Sequence, residues 1–229
     1  MDAQRTSKAN TPECSPAHLE NGISIEAQGT VLAGIVLAMC LSFIGALFWY
    51  SDWVYQLPTP IPPGYQTVEP GSPIDLGEWK GSGSGKPVFL HFFNPNCPCS
   101  RFNVSEVKAL IRDYGAQVEF TVVVMRPHGD DSLPDADIRD EFGPEVGISF
   151  DERLALSCGV YSTPQAVIID GQRRLFYRGN YNKNRYCTAQ RTNYARIALD
   201  ALLNGGTAGP RDITARVSYG CELPGCRKK

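Results

Sequence analysis

Residues 30–50, TVLAGIVLAMCLSFIGALFWY, carry no charged side chain. About twenty such residues at a helical rise of ~1.5 Å span the ~30 Å hydrocarbon core of a bilayer, so the stretch reads as one transmembrane helix. Trp49, Tyr50 and Trp53 then stand where interfacial aromatic side chains belong. A cleaved signal peptide fits less well. Such a peptide has a shorter apolar centre, a basic start and a small-residue exit, whereas this run follows a long polar tail and ends in Phe-Trp-Tyr. Leu37-Ala38-Met39-Cys40 only faintly suggests a lipoprotein box, because Met39 takes a small-residue position and the apolar run continues past Cys40.

The helix divides the chain. Residues 1–29 are polar and read as a disordered tail. Residues 51–86 hold Pro58, Pro60, Pro62, Pro63, Pro70 and Pro73 and then Gly-Ser-Gly-Ser-Gly, the composition of a spacer that confines a domain to membrane-near partners. Residues 87–205 are expected to fold as one domain, and 206–229 form a cysteine-containing tail. Arg5 and Lys8 precede the helix while residues 51–79 hold no Lys or Arg, which points to an internal N-terminus. Six of the eight cysteines follow the helix, an even number suited to an oxidising compartment such as the bacterial periplasm. The expected location is therefore the bacterial inner membrane, crossed once, with the N-terminus cytoplasmic and the C-terminal domain periplasmic. A net charge of −2 provides no basic patch for nucleic acid.

Within the domain, the apolar run Val88-Phe89-Leu90-His91-Phe92-Phe93 leads into Asn96-Cys97-Pro98-Cys99-Ser100 and then into a helical pattern. That helix is expected to reach about Tyr114, with Val104, Val107, Ile111 and Tyr114 on one face. Proline suits the first helical position, which makes Cys97 the cap residue. The thiolate is the form that attacks disulfides, and a helix N-terminus favours it, so Cys97 is the candidate nucleophile. Downstream, the pattern predicts a strand over 118–125, a short helix over 135–141 and a helix over 151–158 closed by Gly159. A hairpin follows over 165–170 and 173–178. The last helix, 192–204, presents Tyr194, Ile197, Ala198, Ala201 and Leu202 as a stripe. His128, Asp130 and Asp131 sit in a loop and read as solvated, and no metal is expected there.

A strand ending in a cysteine, a helix, a further strand, and Ser162-Thr163-Pro164 before another strand resemble the thioredoxin fold. In particular they resemble the membrane-tethered TlpA-like thiol-disulfide oxidoreductases, over residues 87–204. The resemblance implies a central mixed sheet flanked by helices, an α/β class. It also implies a cis proline at Pro164 facing the active cysteine, with Thr163 and Pro164 docking substrate. The partners it implies are proteins bearing disulfides and a redox protein that exchanges electrons, with no organic cofactor. Two departures stand out. The family motif is C-x-x-C, whereas here Ser100 holds the second position and Cys99 comes one residue early. The family's buried Asp, six residues before the first cysteine, is replaced by His91, which could move protons nearer neutral pH or simply be a core residue.

Three redox cycles remain open: a strained Cys97–Cys99 bridge, Cys97 acting alone, or Cys97 resolved by a distant cysteine. Cys99 could equally be a buried bystander, and Arg101 is a candidate for favouring the thiolate. Cys158 is expected to be buried but remains a possible resolving thiol. Cys221 is expected to pair with Cys226 or Cys187 as a structural staple, in preference to serving as a redox arm. Two rival functions are a peroxiredoxin-like peroxide reductase, against which stands Asn94 where those enzymes place Thr, and a copper-binding or scaffold domain using Cys97 and Cys99 as soft ligands.

Overall fold

The computed structural model describes residues 25–77, 85–127 and 135–224. The expectations for residues 1–24, most of the Gly-Ser run, the His128 loop and Cys226 fall outside them. Helix α1 is Ile25–Gln56, and its segment Gln28–Ser51, 24 residues, is long and apolar enough to cross a membrane.

The folded unit starts with β1, Val88–Phe93, followed by α2, Pro98–Phe102, and α3, Val104–Tyr114. Then come β2, Glu119–Val124, α4, Asp135–Phe142, β3, Gly147–Ser149, and α5, Arg153–Cys158. Strands β4, Ser162–Thr163, β5, Gln165–Ile169, and β6, Leu175–Gly179, precede α6, Tyr194–Leu203, and β7, Cys221–Glu222. Five strands form the central sheet in the order β3-β2-β1-β5-β6. β1, β2 and β3 run parallel, and β5 and β6 run antiparallel to their neighbours. With helices on both faces, this is the thioredoxin-like α/β architecture that the resemblance implied.

Burial on both faces explains why β1 is continuously apolar in place of alternating. All six of its residues are buried. Phe89 and Phe93 share one buried cluster with Val107 and Leu110 of α3 and Ala198 and Leu199 of α6, while Leu90 and Phe92 share a second with Leu154 and Ala155 of α5. β3 carries no alternation long enough to be read from sequence; it exists because the edge of β2 needs a partner for its N–H and C=O groups.

Three expectations change. The helix after Cys97 is broken at Asn103, whose backbone N–H bonds both the Cys99 and Ser100 carbonyls while its Nδ2 donates to Cys99 O at 2.9 Å. That side chain competes with the helical ladder and turns the axis. On α6 the buried stripe is Tyr194, Ala195, Ala198 and Leu199, and Ile197 is 37% exposed. The roll of the helix is fixed by the Tyr194 hydroxyl, 2.6 Å from both Asp212 Oδ2 and Thr214 Oγ1. Finally, much of the spacer and tail is packed onto the domain. Ile74 and Leu76 are buried, and Pro73 bridges Arg174. Thr59 bonds the tail through its N–H to Ser218 O, and its hydroxyl both donates to Gly220 O and accepts from Gly220 N–H. The tail then ends in β7, which pairs antiparallel with β4 and sets Cys221 opposite Thr163.

Candidate functional site

Cys97 leaves the end of β1 through a turn in which its N–H bonds Asn94 O at 3.0 Å. It caps α2 in extended conformation, φ −94° and ψ 117°, with Pro98 in the first helical turn as expected. The peptide Thr163–Pro164 is cis, and Thr163 O lies 3.6 Å from Cys97 Sγ. Ser100, which stands where the family's second cysteine would be, is buried, and its hydroxyl accepts the Asn94 N–H at 3.3 Å. It locks the loop that presents Cys97.

Cys97 is disulfide-bonded to Cys221, 124 residues away, with Cα atoms 6.2 Å apart. This corrects the expected pairing of Cys221 with Cys187 or Cys226, and the bridge to Cys99 is not the one formed. The cause is register. The β4–β7 pairing places Cys221 beside Thr163, whose carbonyl is already against Cys97, a juxtaposition that spacing along the chain does not encode. Cys187 Sγ instead lies 3.8 Å from Thr192 Oγ1. Cys158 is fully buried, and burial pushes its thiol up to about 12, so it is unsuited to act as a resolving nucleophile near neutral pH.

Cys99 is buried, and its sulfur lies within 4.8 Å of both disulfide sulfurs. The extended backbone at Cys97 is what allows residues two apart to converge. Tyr186 OH is 3.7 Å from Cys99 Sγ, and Arg185 Nη1 donates to it at 3.8 Å. Tyr186 is held edge-on against Phe102, and Arg185 Nη2 donates to Leu57 O. The Arg101 side chain is exposed; the cation that meets a site sulfur is Arg185. Nothing in the sequence marked Arg185 or Tyr186, which reach α2 from an irregular segment 86 to 87 positions along the chain.

His91 is 1% exposed, and its Nδ1 is 2.7 Å from Tyr181 OH. The ring packs among Phe93, Phe142 and Tyr181, and burial lowers its pKa to about 3, so it is neutral at physiological pH. Its described contacts are those of a core residue and do not include Cys97.

Over the disulfide opens a cleft of about 700 Å³ lined by Asn94, Asn96, Cys97, Pro127, Cys221, Glu222, Leu223 and Pro224. Cys97 is 1% exposed, whereas Cys221 is partly exposed, so a visiting thiolate meets the Cys221 sulfur more readily. The arrangement can exchange disulfides. Once reduced, it would also offer three thiols as soft metal ligands.

The chain is similar in structure to an uncharacterized conserved protein from Geobacillus kaustophilus, at 20% identity and a TM-score of 0.55, over 73% of this chain and 97% of that one. A hypothetical protein from Sinorhizobium meliloti is similar at 18% identity and a TM-score of 0.55, over 69% and 95%. A putative thiol:disulfide interchange protein DsbE from Chlorobium tepidum shares 15% identity over 49% and 85%, with a TM-score of 0.40, too loose a likeness to bear on chemistry. No curated protein matches the sequence. A family model does match, over residues 74–222, from the segment that packs against β6 to the end of β7, and on that match the chain belongs to the family described as a domain of unknown function, DUF6436.

Proposed function

We propose that this chain is a membrane-anchored thiol-disulfide oxidoreductase of TlpA-like type with an atypical Cys-Pro-Cys-Ser motif, in which Cys97 is the nucleophile and Cys221 its resolving partner. The observation that carries the reading is the Cys97–Cys221 disulfide set between the cis Thr163–Pro164 peptide and an open cleft. In the reduced form the Cys97 thiolate attacks one sulfur of a substrate disulfide, and the other substrate sulfur leaves as a thiolate. The Cys221 thiolate then attacks Cys97 Sγ, closing the Cys97–Cys221 bond and expelling the second substrate thiolate. The substrate gains two electrons, and a dithiol redox partner restores the enzyme. Passing the disulfide to a dithiol substrate begins instead at the partly exposed Cys221: a substrate thiolate attacks Cys221 Sγ, Cys97 leaves as the thiolate, and the second substrate thiolate then attacks the bound substrate sulfur and expels Cys221. Docking of substrate on Thr163 and Pro164 would require β7 to leave β4, since both residues are buried and Thr163 is paired with Cys221 in the oxidised form.

Helix α1 is long and apolar enough to anchor the chain in a membrane, and on this reading it lies in the bacterial inner membrane with this domain periplasmic. Reduction of insulin by the full chain in detergent, with dithiothreitol as electron source, tests the reading. Loss of turnover in Cys97→Ser and accumulation of a mixed disulfide in Cys221→Ser are the expected results. Undiminished turnover in Cys97→Ser contradicts it.

The three neighbouring sulfurs favour one second reading, capture of copper(I) by the reduced Cys97, Cys99 and Cys221. Anaerobic titration of the reduced chain against a copper(I) chelator tests it, with one tightly bound equivalent expected and Cys221→Ser expected to lose it. The peroxide reading gains no support, since Asn94 is occupied in the turn, its Oδ1 accepting the Asn96 N–H at 2.9 Å.

A further inference from the structure

The disulfide is approached from two sides. On one, the cleft reaches the Cys221 sulfur; on the other, the buried Cys99 sulfur stands within 4.8 Å of both bonded sulfurs, against Arg185 and Tyr186. Cys99 does not line the cleft. A third sulfur held on the closed side of a disulfide, with a guanidinium and a phenol hydroxyl on it, is placed for exchange from within the protein.

We infer that Cys99 is an internal exchange thiol: it attacks Cys221 Sγ of the Cys97–Cys221 disulfide, forming Cys99–Cys221 and releasing Cys97. This rests on the oxidoreductase reading above. The balance is closed. The Cys99 thiol gives up the proton that ends on Cys97, the Cys99–Cys221 bond forms, and the Cys97–Cys221 bond breaks with its electron pair leaving on Cys97 Sγ. Cys97 takes up a proton, and Thr163 O, 3.6 Å away, accepts the resulting S–H. No oxidant or reductant is consumed.

Attack is directed to Cys221 and not to Cys97 by the backbone. The extended backbone at Cys97 lets the two sulfurs approach, but a bond between them would close a three-residue ring through Pro98 while the Cys99 carbonyl is held by both the backbone and side-chain N–H groups of Asn103. Cys221 comes from a separate strand, and its sulfur already lies within 4.8 Å of Cys99 Sγ. The oxidised chain therefore interconverts between two forms. One caps Cys97 and donates a disulfide; the other keeps the oxidising equivalent at Cys99–Cys221 and presents Cys97 as a free nucleophile. The second form is the one needed to reshuffle mispaired disulfides in a substrate protein.

The test uses the oxidised full chain in detergent with no substrate and no reductant. Iodoacetamide is added at pH 8, and alkylated and linked peptides are mapped over time. The inference expects Cys97 to become alkylated as Cys99–Cys221 accumulates, and expects Cys97 alkylation at least tenfold slower in Cys99→Ser. Equal rates in the two proteins, or a wild-type Cys97 that stays unmodified while an unfolded, reduced control reacts, would overturn it. Oxidised Cys97→Ser supplies the second reading: a Cys99–Cys221 linkage supports the inference, and two free thiols there refute it. Because no substrate is present, failure here leaves the oxidoreductase reading to stand or fall on insulin turnover alone.

Discussion

Burial sorts the cysteines by chemistry. Cys158 belongs to the apolar cluster with Leu154 and Val160, and its thiol is pushed up to about 12. It should resist maleimide at pH 8 in the folded protein and react only once the chain is unfolded; modification under native conditions would contradict the packing. His91 makes a second prediction. Its folded pKa of about 3 lies below the ordinary 6.5, so the folded state prefers the neutral ring. The stability this contributes is complete above pH 6.5 and is lost as pH falls toward 3, with a slope of at most about 1.4 kcal/mol per unit. Thermal unfolding across pH 7 to 3.5 should show a smaller decline in His91→Gln than in wild type, and parallel profiles would argue that His91 titrates normally. Cys97 and the Thr163–Pro164 pair were legible as residues because a cap position and an X-Pro step are local. Arg185 was not, since its meaning depends on which sulfur the folded chain brings to it.

At the scale of elements, the disulfide partner of Cys97 is positioned by one short strand pair and its supports. Gly220 lies so close to β4 that a Cβ there would collide with Thr163 O, so the backbones approach only because the side chain is absent. Gly220→Ala should push β7 off β4 and abolish Cys97–Cys221 pairing, seen as one additional pair of alkylatable thiols without reductant. Retention of the disulfide would show that the strand pairing does not set it. Thr59→Val removes the hydroxyl that both donates to and accepts from the Gly220 backbone. Leaving those groups unpaired should cost about 1–3 kcal/mol and speed reduction of the disulfide by dithiothreitol. An unchanged denaturation midpoint would contradict that role. Strand β1, helix α5 with its left-handed Gly159 and the β5–β6 hairpin were readable, because period, cap and turn residues are written locally. The break at Asn103 and the roll of α6 were not, because a side-chain bond to Cys99 O and the Tyr194 anchors decide them.

The whole molecule combines a helix fit to cross a membrane with a thioredoxin-like domain whose cap cysteine, Cys97, is paired across nearly the full domain sequence. If α1 is an anchor, the full chain should stay with membranes through alkaline carbonate extraction; release into the supernatant would contradict it. The class of the fold was visible because an uncharged run and a buried strand followed by a capped cysteine are features of composition and period. The disulfide was not visible, because an even count of cysteines does not specify partners and only the β4–β7 register does. The most direct test of the account is therefore a disulfide map of the full chain, oxidised, acid-quenched and digested without reduction. It should yield a peptide linking Cys97 to Cys221, with Cys97→Ser losing insulin turnover. A Cys97–Cys99 loop, or Cys221 joined to Cys226 while Cys97 is free, would contradict it.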